Sequence, residues 1–174
     1  MSAVIPSEIV KFLEGATVGI GATRDDGLVP ELHRIQGWTV GEDGRSITCV
    51  FPKRHSHALI PSLENNREFS MLTLGSISGP RASQPPNPSV DFHECYQLKG
   101  LFVGARPAKD EDLPLVQATR DRFMALFQPM FGFSDAACAA RFANPGLAIT
   151  FEVLEIYDQT PGPGAGSKIF GERA

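Results

Sequence analysis

"ATVGIGATRDDGLVPELHRIQGWTV", residues 16 to 40, is two extended runs joined by Arg24-Asp25-Asp26-Gly27. Small and β-branched residues fill the first run, Asp-Asp-Gly supplies turn chemistry, and an extended pattern resumes after Gly27, so the segment predicts a β-hairpin. Gly41-Glu42-Asp43-Gly44 is a second turn. "RSITCVF", residues 45 to 51, then sets Ile47, Cys49 and Phe51 against Ser46, Thr48 and Val50, the alternation of a strand with at least one buried face. Three antiparallel strands in succession predict a meander.

Working outward, Ser7 is placed to cap a short helix within residues 1–15, with Ile9, Val10, Phe12 and Leu13 as its apolar stripe and Gly15 as its stop. Downstream, "KRHSHALIPSLENN" (53–66) has Leu59, Ile60 and Leu63 at helical spacing and leads into the strand candidate "EFSMLTL" (68–74). Residues 75–91 carry four prolines and no periodicity, which predicts a long loop. In "HECYQLKG" (93–100), Cys95, Gln97 and Lys99 should point one way and Tyr96 and Leu98 the other. An amphipathic helix is expected from Asp112, with Leu113, Val116, Phe123, Met124 and Phe127 facing the core, followed by a second piece over Ser134 to Phe142. "LAITFEVLEIYDQ" (147–159) reads as a long final strand, and the Pro- and Gly-rich residues 160–174 as an extended tail. The chain is then mainly β, with mostly antiparallel neighbours. Six strands of this kind predict a small barrel, because closure removes exposed edges.

The chain of 174 residues has no internal repeat and fits one domain, residues 1–174. Hydrophobic residues at 42% and charged residues at 21% are close to average globular composition and suggest neither a disordered chain nor a membrane protein. A net charge of −4 offers no general attraction to nucleic acid. No apolar run approaches the roughly 20 residues of a spanning helix. Cys49, Cys95 and Cys138 are odd in number and well separated, which fits buried thiols in the reducing cytoplasm.

The densest polar cluster is "KRHSH" (53–57), at a strand-to-helix junction. Lys53, Arg54 and Ser56, beside the free amides of a helix start, can cradle a phosphate; a solvated turn is the equally simple reading. His33, His55, His57 and His93 are the only histidines, and no acidic or cysteine ligand lies near His55 and His57 in sequence, so no metal site is assigned. Hydrolase elbows and phosphate loops are absent, and Gly19-Ile20-Gly21 alone is not a dinucleotide fingerprint. Gln97 and Lys99 share a strand face that must meet solvent, a ligand or another subunit, since a buried unpaired lysine would be costly.

Taken in order, "FLEG" (12–15), the hairpin "ATVGIGATRDDGLVPEL" (16–32), "SLENNREFSML" (62–72), "YQLKG" (96–100) and "VLEIYDQTPGPGAG" (153–166) resemble the pyridoxamine 5'-phosphate oxidase-like family of flavin-binding split barrels. The resemblance covers nearly the whole chain. It implies a six-stranded antiparallel split β-barrel of Greek-key type with short flanking helices. It further implies a homodimer binding FMN at the subunit interface and acting as an oxidoreductase on a small molecule, without nucleic-acid or membrane partners. On this resemblance the cofactor-binding residues are Lys53, Arg54, Ser56 and His57 at the phosphate and Gln97 and Lys99 near the ring. Two departures stand out. His57, Ala58 and Leu59 occupy the positions of the oxidase's Ser-Arg-Lys run, and the C-terminal Arg-x-His segment is replaced by "DQTPGPGAG" (158–166), so pyridoxamine phosphate oxidation is not carried over. A split-barrel binding module for haem through His55 or His57, for a deazaflavin, or for no cofactor is the alternative.

Overall fold

In chain order, a computed structural model gives α1 (Ser7–Gly15), β1 (Val18–Arg24), β2 (Pro30–Ile35), β3 (Gly37–Val40), β4 (Ser46–Pro52), a 3-10 turn (Lys53–His55) and α2 (Ser56–Asn66). There follow β5 (Glu68–Gly75), β6 (Glu94–Pro107), α3 (Leu113–Phe131), α4 (Asp135–Arg141), β7 (Pro145–Asp158) and β8 (Lys168–Phe170). It describes residues 4–75 and 94–171, with all their side chains except those of Ser56, His57 and Met130. The loop expected over residues 75–91 lies outside the described residues beyond Gly75, where β5 ends.

Every strand pairing is antiparallel, in the order β2-β1-β5-β6-β7-β4-β3. The two ends of this path are consecutive in sequence. Only Gln36 separates β2 from β3, so one bent strand pairs with β1 through its first half and with β4 through its second. Counted this way, the closed sheet has the six strands expected from sequence. The bend is pinned: the Gln36 amide N–H donates to Val50 O at 2.8 Å, and its fully buried side chain donates through Nε2 to the carbonyls of Ala143 (2.9 Å) and Arg141 (3.3 Å). Buried amides need such partners, and here they tie the strand corner to the end of α4.

The barrel interior is filled by Phe12, Phe51, Phe69, Leu98, Tyr96 and Phe151 among others, with Phe12 and Tyr96 in edge-to-face contact at 4.8 Å. Gly19 and Gly21 are explained here. A Cβ on Gly19 would come within 2.9 Å of the Trp38 ring and one on Gly21 within 2.8 Å of the Phe69 ring, so both glycines make room for aromatic core residues. A second cluster of Val50, Val116, Phe123, Cys138 and Phe142 seats α3 and α4 on the outside of β4. That is why β4 is buried on both faces along its second half.

Several expectations are corrected in detail. Pro6 rather than Ser7 precedes α1 as its cap residue, and the Ser7 hydroxyl instead donates to Glu8 at 3.4 Å. Leu113 is 45% exposed and does not share the core-facing stripe of Val116 and Phe123, because the chain enters α3 from a 3-10 turn at Asp110–Asp112. Cys95 is only half-buried, whereas Cys49 and Cys138 are buried. The tail is not extended throughout: residues 160–166 form turns, with Gly166 N–H donating to Asp158 O at 2.7 Å, and only β8 adds as a strand to the edge of β7. Among the described residues no helix is long and apolar enough to cross a membrane.

Candidate functional site

On β2, alternation sends His33 inward, 4% exposed, and Arg34 outward. Directly after β4, Arg54 and His55 lie on the 3-10 turn, whose tight wind presents them toward β2. His33 and His55 meet edge to face, ring centroids 5.4 Å apart, with Nδ1 to Nδ1 at 3.4 Å. Arg54 Nε lies 3.4 Å from His55 Nε2 and can only donate. His55 therefore carries its proton on Nδ1 and donates it to His33 Nδ1. The His33 proton is then on Nε2, which faces the Thr23 hydroxyl at 3.5 Å and the Glu31 carboxylate at 3.6 Å. One directed chain of neutral imidazoles thus runs from Arg54 to Glu31.

Charge around this chain is one-sided. Burial lowers the affinity of His33 for a proton, against the pull of Glu31. His55 is lowered by burial and then by His33, Arg54 and Arg34. The Arg34 guanidinium is held below its ordinary range by burial and by Arg54, and that of Arg141, at the end of α4, by burial and by Arg34. Among the described residues, Arg34, Arg54 and Arg141 have no carboxylate partner, and within this cluster Glu31 pairs only with His33. Three cations elsewhere are matched: Arg24 with Glu68 at 3.0 Å, Arg106 with Asp112 at 2.7 Å, and Lys168 with Glu155 at 2.6 Å. A cluster of cations that is not neutralised from within is electrostatically suited to an external anion.

Arg34 also begins a row across the outside of the sheet. The strand register sets Arg34 beside Ile20, Ile20 beside Leu72, Leu72 beside Gln97, and Gln97 beside Tyr157. From Arg34 to Gln97 is three inter-strand steps, about 14 Å. Gln97 donates to Ser70 Oγ at 3.0 Å and accepts from Gln159 at 3.2 Å. The Lys99 ammonium stands 4.5 Å from the centroid of the Tyr157 ring, a cation–π contact, and borders a cleft of about 270 Å³ with Arg24, Ser70 and Glu155. Leu32 is 71% and Leu72 39% exposed, so this face mixes apolar and polar groups rather than being a plain solvated exterior.

The predicted residues therefore fall in two places. Arg54 joins the cationic cluster, while the stem of Lys53 lies against Gly146 at the start of β7. Ser56 and His57 open α2, and their side chains lie outside the described residues. Gln97 and Lys99 share the outer face, as their alternation implied. Arg34, Arg141 and the pairing of His33 with His55 were missed by sequence reasoning, because closure of β2 and β3 onto β4 brings them together from positions far apart in the chain.

No protein-family model matches the sequence, and no curated protein matches it. Among solved structures, the chain is similar to an F420 reductase at 14% identity, over 87% of this chain and 98% of that one, with a TM-score of 0.49. It is similar to an FMN-binding protein from Syntrophomonas wolfei subsp. wolfei at 9% identity, over 86% of this chain and 82% of that one, with a TM-score of 0.47. A heme binding protein from Mycobacterium smegmatis is 18% identical over 97% of this chain and 60% of its own, with a TM-score of 0.49. The order and closure of the chain's own strands give a six-stranded antiparallel split barrel.

Proposed function

We propose that the protein is a homodimeric FMN-binding flavoprotein of oxidoreductase type, with the FMN phosphate held at the Arg34, Arg54 and His55 cluster. The observation that carries this reading is the crowding of Arg34 and Arg54 beside the His33–His55 pair, with Arg34 held below its ordinary range by burial and by Arg54, at one end of a partly apolar outer sheet row. A phosphate suits such a cluster because a dianion relieves the repulsion and accepts charge-assisted hydrogen bonds from the guanidinium forks. Bound FMN would supply the electron and hydride chemistry. The chain's own part is to position it. Arg34 and Arg54 hold the anion, Ile20 and Leu72 offer an apolar surface, and Gln97 and Lys99 offer a donor and a cation at the far end of the row. Lys53, Ser56 and His57 flank the phosphate end, on the same turn and the first residues of α2. A second copy of the chain covers the exposed Leu32 and Leu72. The three free cysteines suit a reducing, cytoplasmic setting.

Haem binding through His55 is disfavoured by one observation: both of its ring nitrogens are engaged, Nδ1 with His33 and Nε2 with Arg54. An axial bond would have to break one of these contacts. The test is the visible spectrum of freshly purified protein, before and after denaturation, with FMN titration of any colourless fraction. A flavin spectrum, or saturable FMN uptake, is expected. A Soret band, or a colourless protein that FMN leaves unchanged, would overturn the reading. Sedimentation equilibrium should show a dimer at micromolar concentration.

A further inference from the structure

Beside the cationic cluster, a cavity of about 280 Å³ opens between α4 and the aromatic side chains of α3 and the turn that follows it. Arg34 and Arg141 both line it, and among the described residues no carboxylate does. Its other walls are Phe123, Phe133 and the small residues of α4, with the buried Cys138 among them. The Phe123 and Phe133 rings are nearly parallel, 23° apart with centroids at 6.0 Å. The Arg141 guanidinium already lies 4.4 Å from the Phe123 ring centroid. Cation–π contact of this kind fixes the plane of the guanidinium while leaving its edge N–H groups available. Phe133 is 39% exposed and Phe131 60%, so the aromatic wall continues to the surface as an open rim.

Two features fix the chemical class of an occupant. Two guanidiniums without an acid ask for an anion. Aromatic walls favour a flat ring, which gains stacking or edge-to-face contact beyond simple burial. Size agrees: a cavity of about 150 Å³ holds a benzene ring, so about 280 Å³ accommodates one ring with its carboxylate. We propose that this cavity binds a single-ring aromatic carboxylate, the substrate class of the neighbouring cofactor site. The carboxylate meets Arg141 and Arg34, and the ring lies against Phe123 and Phe133. The inference leans on the flavin reading for the word substrate and for the shared Arg34, while binding itself stands on the cavity.

Benzoate, benzamide and cyclohexanecarboxylate are the probes, titrated into the full-length protein by calorimetry, with FMN titrated separately. Benzoate should bind saturably. Neutral benzamide should bind at least about tenfold more weakly, the loss of one charge-assisted contact, and the non-aromatic acid several-fold more weakly. Arg141→Met, which keeps the stem over Phe123, should weaken benzoate about tenfold and leave FMN affinity and the melting temperature nearly unchanged. Phe133→Ala, at a partly exposed position, should weaken it several-fold and guards against a folding defect in the first variant. Arg54→Ala should do the reverse, weakening FMN and sparing benzoate. No saturable benzoate binding, equal affinity for benzamide, or benzoate affinity untouched by Arg141→Met and Phe133→Ala would each overturn the proposal. Loss of FMN binding alone would overturn the cofactor reading and leave the cavity assignment standing.

Discussion

Arg106 and Arg34 are the same residue type, both on strands, and their surroundings differ in every respect that matters. Arg106 sends two N–H groups to Asp112, at 2.7 and 2.8 Å, and Asp112 also accepts the Lys109 amide N–H at 2.7 Å. Its hydrogen bonds to Asp112 hold the Arg106 guanidinium above its ordinary range, and they hold the Asp112 carboxyl below its own. This is a clamp that fixes the end of β6 to the start of α3. Arg34, by contrast, faces Arg54 and Arg141 and is held below its ordinary range. The first arrangement stabilises the fold. The second costs stability unless something negative completes it, and a fold that retains such a cost points to a ligand.

The sharpest way to break this comparison is to remove the cations that lack partners. Arg34→Ala with Arg54→Ala should lower FMN affinity about 100-fold, or ~2.7 kcal/mol for two charge-assisted contacts. The melting temperature of the unliganded protein should hold or rise, since a repulsion is removed. Calorimetric titration and thermal denaturation read the two effects separately. Arg106→Ala should do the opposite. It leaves Asp112 short of two donors, costs about 1–2 kcal/mol in urea denaturation, and leaves FMN affinity alone.

A smaller effect lies in the pH dependence. His33 and His55 are held below the ordinary histidine value near 6.5, so the unfolded chain takes up protons first. Their contribution to stability is fully present above about pH 6.5 and is lost as pH falls through the lowered folded values. For Asp112 the loss begins only as pH falls below the ordinary aspartate value of 3.8. Denaturation against pH should therefore show two separate declines, and His33→Asn should remove part of the upper one. Binding of an anion takes up protons at this cluster. Sulfate, whose charge is constant here, should raise the melting temperature by a few degrees more at pH 6 than at pH 8, and Arg34→Ala with Arg54→Ala should abolish that difference. The smallest expected change is Arg24→Ala. Its pair with Glu68 is exposed on both sides, and about 0.5 kcal/mol or less should be lost.

Much of the barrel is legible in the sequence because alternation and turn chemistry are local. Gly-Glu-Asp-Gly marks the β3–β4 turn, and the period of two in residues 94–100 separates buried Tyr96 and Leu98 from Gln97 and Lys99. The bend at Gln36 is not legible. A buried glutamine in a strand carries no local sign that its amide will hold carbonyls more than 100 residues away. The candidate site follows the same division. "KRHSH" is visible as a cluster, since its residues are neighbours, and Arg54 and His55 lie beside Arg34 and His33 in the candidate site. Arg34 and Arg141 come from distant elements: strand closure brings Arg34 to Arg54, and the packing of α4 on the Gln36 corner brings Arg141 to Arg34. The one available hint is a histidine and an arginine, His33 and Arg34, side by side in an extended run, where each must find a partner on a different face.

The central claim is that the cationic cluster recognises a phosphate. Isothermal titration of FMN against riboflavin, which differs by that group alone, tests it directly. FMN should bind at least about tenfold more tightly, and Arg34→Ala with Arg54→Ala should collapse the difference. Equal affinity for FMN and riboflavin in the wild-type protein would contradict the claim.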